Sequence, residues 1–249
     1  MADSRLPALL VETPTPRLKD TEASGALRTS PLFDDVMEMF SPSVVVEFGS
    51  WQGASAIAWV LASRRIGLDC KVVCIDTWLG SPEHWADALP DSEWSRSNLH
   101  VRFGEPQIFD RFCAEVHAKD AAQDIRPLRA TTECATIYLN EVGFKADCVY
   151  VDADHSLRGA LSDLRRGRLI LSENGILAAD DWNQSRVRLA VCVYAFLTRS
   201  KIFALPGQDY AFVVTKRSQI TQNTLREKGY RNHLPFHAVL GVLKRRLFK

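Results

Sequence analysis

Acidic side chains and one histidine stand at the ends of short apolar runs, and those are the positions where this sequence could do chemistry. The stretch VDADHS places Asp152, Asp154, His155 and Ser156 directly after the apolar residues 148–151, and Asp180-Asp181-Trp182 follows residues 176–179. If both runs are strands of one parallel sheet, their carboxyl ends share an edge, and carboxylates distant in sequence converge there. Hard divalent cations prefer oxygen ligands, and Asp152, Asp180 and Asp181 could hold one while leaving positions for water and two substrate oxygens. A bound ion such as Mg2+ lowers the pKa of a substrate hydroxyl. His155, three residues beyond Asp152, could take the proton near neutral pH. Each residue also has a plainer use. Ser156 is a good N-cap, Asp154 suits the positive end of a helix, and Asp180-Asp181 could cap the helix that follows. Asp154 is assigned no catalytic role.

A second constellation starts at VVVEFGSWQGAS. Residues 44–46 are continuously apolar and Phe48 extends the run, as in a parallel strand covered on both faces. Glu47 interrupts it just before Gly49, and Gly49 and Gly53 permit backbone angles or close approaches that a Cβ opposes. Residues 72–75 repeat the pattern and end at Asp76, which could accept hydrogen bonds from both hydroxyls of a ribose. The glycines stand four apart, with no third glycine and no Lys-Ser/Thr phosphate cradle. That spacing suits a nucleoside cofactor without a diphosphate better than a dinucleotide, which disfavours a nicotinamide-dependent oxidoreductase. A tight strand-to-helix turn with no ligand would explain the glycines alone, but not the pair Glu47 and Asp76.

The elements that must position these groups follow from periodicity. Phe33, Val36, Met37 and Phe40 form a short apolar stripe before the first strand, and Ile57, Val60 and Leu61 mark the sheet-facing side of a helix after Gly53. Residues 77–104, rich in Trp, Pro, His and acidic side chains, read as an insertion whose Trp78, Trp85 and Trp94 could wall a substrate pocket or only pack the loop. Ile108, Phe109, Phe112 and Val116 recur at helical spacing. Residues 125–128 form a strand, and Thr131 or Thr132 caps the helix through Leu139, with Glu133 or Ala135 near the adenine side of a site. Residues 201–205, Pro206-Gly207 and residues 210–215 read as a strand pair, with Asp209 a turn residue. Apolar residues between Thr224 and Lys249 fold back on the domain or contribute to a homodimer.

The chain has 249 residues, enough for one α/β domain with extensions and hardly enough for two. Its net charge of +1 gives no basis for nucleic-acid binding, and the cluster Lys244, Arg245, Arg246 and Lys249 reads as a solvated helix end. Six cysteines without CxxC pairs read as buried thiols in a reducing compartment. The start lacks a secretory h-region and nothing has transmembrane length, so the expectation is a soluble cytoplasmic protein without a membrane partner. Proline and threonine in residues 1–30 suggest a loose N-terminal arm, able to order over a site or a partner subunit. Residues 31–249 then make one domain, with the insertion at 77–104 and an extension at 217–249.

In this order the segments resemble class I S-adenosylmethionine-dependent methyltransferases. They are most similar there to the metal-dependent small-molecule O-methyltransferases of the macrocin type, over residues 44–216. VEFGSWQGAS corresponds to the first cofactor motif, which implies Glu47, Gly49 and Ser50 near the methionine portion and Gly53 at the helix start. CIDTW corresponds to the second, with Asp76 as ribose ligand, and Thr77 and Thr131 complete the cofactor side. VDADHS and AADDW correspond to the metal-binding segments, which implies ligation by Asp152, Asp180 and Asp181 and a general-base role for His155. SENGIL departs from the usual Pro-Gly-Gly turn, keeping only Gly175. The expected fold is a doubly wound, seven-stranded, mostly parallel sheet with helices on both faces and an antiparallel final strand. The implied reaction moves the methyl group of S-adenosylmethionine to a hydroxyl of a small molecule, a vicinal diol on a sugar or catechol. Transfer to nitrogen or a carboxylate on the same fold, and a non-catalytic nucleoside-binding scaffold, are the alternatives. A scaffold has no need of the charges at Asp152, Asp180, Asp181 and His155.

Overall fold

A computed structural model describes residues 6–17, 23–25, 27–86, 95–215 and 218–234. Helix α1 (Pro31–Phe40) starts with Ser30 accepting from the Leu32 amide and proline at its first position, and ends at Ser41 in the left-handed region. It leads into β1 (Val44–Phe48), buried along its whole length. There follow α2 (Ala54–Arg65), β2 (Lys71–Asp76), the short α3 (Pro82–Ala86), α4 (Ile108–Ala118) and β3 (Ile125–Arg129). The second half contributes α5 (Thr132–Glu141), β4 (Ala146–Val151), α6 (Leu157–Ile170), β5 (Leu171–Ala179) and α7 (Ser185–Leu197). The chain then forms β6 (Ser200–Ala204), β7 (Ala211–Thr215), α8 (Gln219–Glu227) and β8 (Arg231–His233).

The strands lie in the order β3-β2-β1-β4-β5-β7-β6-β8. β1 to β5 pair in parallel, β7 runs antiparallel between β5 and β6, and β8 is antiparallel to β6. The doubly wound, mostly parallel sheet matches expectation, with one strand more than the seven anticipated. β8 is three polar, exposed residues, Arg-Asn-His, so it carries no alternation that a sequence pattern could register. Strand residues alternate between two cores. Val45, Cys74, Tyr150 and Ala178 pack with α1, α2 and α4. Val46, Val73, Val149 and Leu177 pack with α5, α6 and α7 on the other face. The SENG segment slips out of register between Ala146 and Cys148, which accommodates the missing glycines of the turn within β5 itself.

Packing decides three points that the sequence left open. The described residues of the N-terminal arm pack on the domain. Leu10 is buried, the Thr13 hydroxyl donates to the Ile125 carbonyl at 3.0 Å, and the Arg17 amide donates to Asp110 at 3.0 Å. The anchors Asp110 and Glu115 are each 1% exposed on α4, polar positions in a helical stripe whose partners lie some ninety residues away. Trp78 is not a pocket wall. It is fully buried against Phe109 and Phe112, and its indole N–H donates to the Trp51 carbonyl at 2.7 Å. The C-terminal stretch folds back through its described part, with Leu225 and Tyr230 buried and the Tyr230 hydroxyl donating to Asp35 at 2.6 Å. Trp94 and residues 235–249, with the basic cluster at Lys244, Arg245, Arg246 and Lys249, lie outside the described residues. Of the six free cysteines only Cys134 is exposed. Among the described residues, no helix is long and apolar enough to cross a membrane.

Candidate active site

The carboxyl ends of β1 and β2 carry the first group. Glu47 is fully buried beneath the turn it was expected to serve, accepting from the Ser50 hydroxyl at 3.0 Å and from the Ser55 hydroxyl of α2. Burial pushes its pKa up to about 7 against the pull of those two donors. Asp76 accepts the Ser50 and Trp51 amides, each at 2.9 Å, on one oxygen and the Trp78 amide at 2.8 Å on the other. The two acids therefore tie the turn down from both sides and preorganise its amides. Gly49 and Gly53 take positive φ of 82° and 88°, and Trp51 between them takes 45°. Thr77 accepts from the Leu79 amide at 3.2 Å, and Thr131 caps α5 by accepting from the Cys134 amide at 3.1 Å. Trp51 stacks on His84 of α3 with ring centroids 4.5 Å apart, a pair the sequence reading did not single out.

Glu47 gives a pH signature. Its carboxyl is neutral-favouring in the fold and ordinary when unfolded, so its contribution to stability is complete below about pH 4.5 and is lost as pH rises through about 7. Glu47→Gln, neutral throughout, is expected to gain on the parent by of order 3 kcal/mol between pH 5 and pH 8.5. Urea midpoints at both pH values check this, and a difference that does not change with pH contradicts it.

The second group meets at the ends of β4 and β5, against the same turn, where a Cβ on Gly49 would stand 2.1 Å from the Asp152 carbonyl oxygen. Asp181, at φ 54°, points its carboxylate to His155 Nε2 at 2.7 Å, and Asp152 lies 3.7 Å from the same nitrogen. Asp152 and Asp181 together raise the His155 pKa to about 10, while His155 holds Asp181 below the usual carboxylate range against the opposing effect of burial. Asp180 is 3% exposed. Burial and the neighbouring Asp152 charge push it up to about 8. Its Oδ1 has no hydrogen-bond partner among the described residues.

Two members of this edge were missed in the sequence. Arg28, from the N-terminal segment, reaches Asp152 at 2.9 Å and Asp180 at 2.5 Å, with Asp209 at 3.6 Å. The carbonyl of Asp209 also accepts the Trp182 amide. Arg28 stands in LRTSPLF with no periodic neighbour, so nothing local pointed to a contact 124 residues away. Three of the four residues expected to converge share one cluster: oxygens of Asp152 and Asp181 and a ring nitrogen of His155 lie within 4.8 Å of one another. Asp180 stands outside that group, joined to Asp152 through the Arg28 guanidinium, with one buried oxygen left without a partner. This oxygen-rich donor set fits a hard divalent cation.

Rhamnosyl O-methyltransferases of Mycobacterium bovis (strain BCG / Pasteur 1173P2) and Mycobacterium tuberculosis (strain ATCC 25618 / H37Rv) are 26% identical over 151 residues, 61% of this chain and 50% of theirs. The chain thus spans about half the length of the curated relatives it matches. Among solved structures, the calicheamicin methyltransferase CalS11 superposes with a TM-score of 0.51 at 18% identity, covering 74% of this chain and 76% of that one. TomG, the O-methyltransferase of Streptomyces achromogenes involved in tomaymycin synthesis and crystallised with SAM, gives 0.51 at 14% identity over 76% and 82%. These two likenesses establish the fold. Residues 46–182, from the first strand through both acidic segments, match the family described as a methyltransferase domain, and the chain belongs to that family.

Proposed function

We propose that this methyltransferase takes its methyl group from S-adenosylmethionine and delivers it to a hydroxyl oxygen of a small molecule with adjacent hydroxyls, a sugar before a catechol. The observation that carries the reading is the meeting of Asp152, His155 and Asp181, with Asp180 joined to Asp152 through Arg28, where the Asp152 backbone packs against Gly49. Acceptor chemistry and cofactor turn then share one edge. The sugar preference draws on the rhamnosyl O-methyltransferases, 26% identical over the matched residues.

In this reading Glu47, Ser50, Asp76 and Thr77 shape the turn that holds the cofactor, with Gly49 and Gly53 giving it room and Thr131 at the adenine side. The acceptor oxygen attacks the methyl carbon as the carbon–sulfur bond breaks. S-adenosylhomocysteine leaves with that bond's electron pair, and the hydroxyl proton passes to a neutral His155, which requires Asp152 and Asp181 to be engaged elsewhere, because as they stand they hold its ring protonated. In-line positioning is the main contribution of the protein. Asp152, Asp180 and Asp181 would hold a divalent cation, which when bound supplies positive charge that lowers the pKa of the acceptor hydroxyl. Asp152 and Asp181 orient the His155 ring toward this edge, and they keep it charged as long as they face it alone.

Calorimetric titration with S-adenosylmethionine, followed by transfer of a labelled methyl group to rhamnosides and catechols, tests the proposal. Cofactor binding with label recovered as an ether on a diol is the expected result. A folded protein that does not bind S-adenosylmethionine overturns it, and label recovered only on nitrogen or a carboxylate overturns the O-methyl assignment.

A further inference from the structure

The guanidinium of Arg28 sits where a cation bound by the two strand ends would sit. It bridges Oδ2 of Asp152 and Oδ2 of Asp180, and Asp209 lies beyond. Oδ1 of Asp180 is left without a partner, so one guanidinium does not satisfy the cluster. Arg28 cannot withdraw by losing its proton, since a guanidinium stays charged at any pH the fold survives. A dication among the same carboxylates would face that fixed charge at a few ångströms in a partly buried site, where repulsion is weakly screened. One of the two has to leave.

The segment carrying Arg28 is fastened in a way that allows it to leave. Its anchors are polar: Arg17 on Asp110, and the Ser24 and Gly25 amides on Glu115. The Arg28 amide reaches the Ala54 carbonyl at 3.4 Å, the long limit of a hydrogen bond. Leu10 is the buried apolar residue among its described positions. Segments held by hydrogen bonds and ion pairs, with little apolar burial, open at a small fraction of the cost of global unfolding.

We propose that Arg28 and a divalent cation are alternative occupants of the seat between Asp152 and Asp180, so that the N-terminal segment is a strap closed by Arg28 and released by metal. The inference rests on the reading of this edge as the methyl-acceptor site. With the strap closed, the acidic edge is neutralised and covered. With the strap displaced, the carboxylates face the acceptor and the cation together.

The test is a calorimetric titration of the full chain with Mn2+, for the parent, Arg28→Ala and Arg17→Ala. Arg28→Ala is expected to bind Mn2+ about tenfold more tightly or better, because the competing occupant is gone. Arg17→Ala, which loosens the strap outside the cluster, is expected to tighten Mn2+ by about two- to fivefold. In the parent alone, saturating Mn2+ is expected to speed tryptic cleavage after Arg28, a readout that does not depend on any variant folding. Unchanged or weaker Mn2+ binding by folded Arg28→Ala, no Mn2+ binding by any of the proteins, or cleavage indifferent to Mn2+ overturns the proposal. S-adenosylmethionine titrated in parallel separates the two claims. Intact cofactor binding with failed metal arms defeats the strap and leaves the methyltransferase reading standing, whereas a folded parent that binds Mn2+ but no cofactor defeats only the latter.

Discussion

Asp181→Ala is expected to lower methyl-transfer turnover on an accepted diol by about 10²- to 10⁴-fold, the range for loss of a positioned acid–base group. Its affinity for S-adenosylmethionine should stay near the parent's. The asymmetry follows from where Asp181 sits. It touches His155 at 2.7 Å, whereas the Gly49–Gly53 turn is held by Asp76. Without Asp181, Asp152 at 3.7 Å is too far from His155 for a hydrogen bond that fixes the ring. Asp181 also holds a positive φ that a non-glycine residue adopts at some cost, so the fold maintains this side chain in place against local preference. Single-turnover kinetics against a separately measured cofactor dissociation constant decide the point. Turnover within a factor of about three of the parent would remove His155 and Asp181 from the chemistry. A parallel loss of cofactor affinity would place Asp181 in the cofactor site instead.

The strands that build this edge were legible because each is a local signal: continuous apolar runs at β1, β2 and β4, each stopped by an acid. Helix starts were legible for the same reason, and Ser156 and Thr131 cap α6 and α5 as their residue types suggest. The convergence of Asp152, Asp180, Asp181 and His155 was legible one step further on, since a parallel sheet puts all strand ends on one edge. What stayed hidden is what depends on a partner far away in sequence. Arg28 reads as an ordinary arginine in a proline-flanked segment until Asp152 and Asp180 are folded beneath it. Trp78 reads equally as wall or core, and Phe109 and Phe112 settle it as core. Glu47 and Asp76 were placed correctly at strand ends, yet their present hydrogen bonds run to the turn itself, a division of labour that residue type alone does not specify.

Gly49→Ala is the substitution expected to do most damage to the fold, about 3 kcal/mol, near the upper end for overpacking a filled site. Gly49 takes φ 82°, which penalises any L side chain, and the added methyl would lie 2.1 Å from the Asp152 carbonyl oxygen and 2.7 Å from the Ala153 Cα. Both obstacles are backbone, so relief requires the turn between β4 and α6 to move as a unit. That turn carries Asp152 and His155. One methyl group therefore disturbs the cofactor turn and the acceptor edge together, and both S-adenosylmethionine affinity and turnover should fall. Gly53→Ala is the control. Its φ of 88° carries the same backbone penalty, but its Cβ would meet the Phe112 ring at 2.9 Å, a side chain that can tilt. A loss of about 1–2 kcal/mol is expected there, with the acidic edge undisturbed. Urea denaturation of both variants, with His155 followed by NMR, measures the contrast. Equal losses with an unmoved His155 resonance would mean that backbone angle alone demands the glycines. A larger loss at Gly49 with a shifted His155 resonance would mean that the demand comes from the contact joining the two halves of the site.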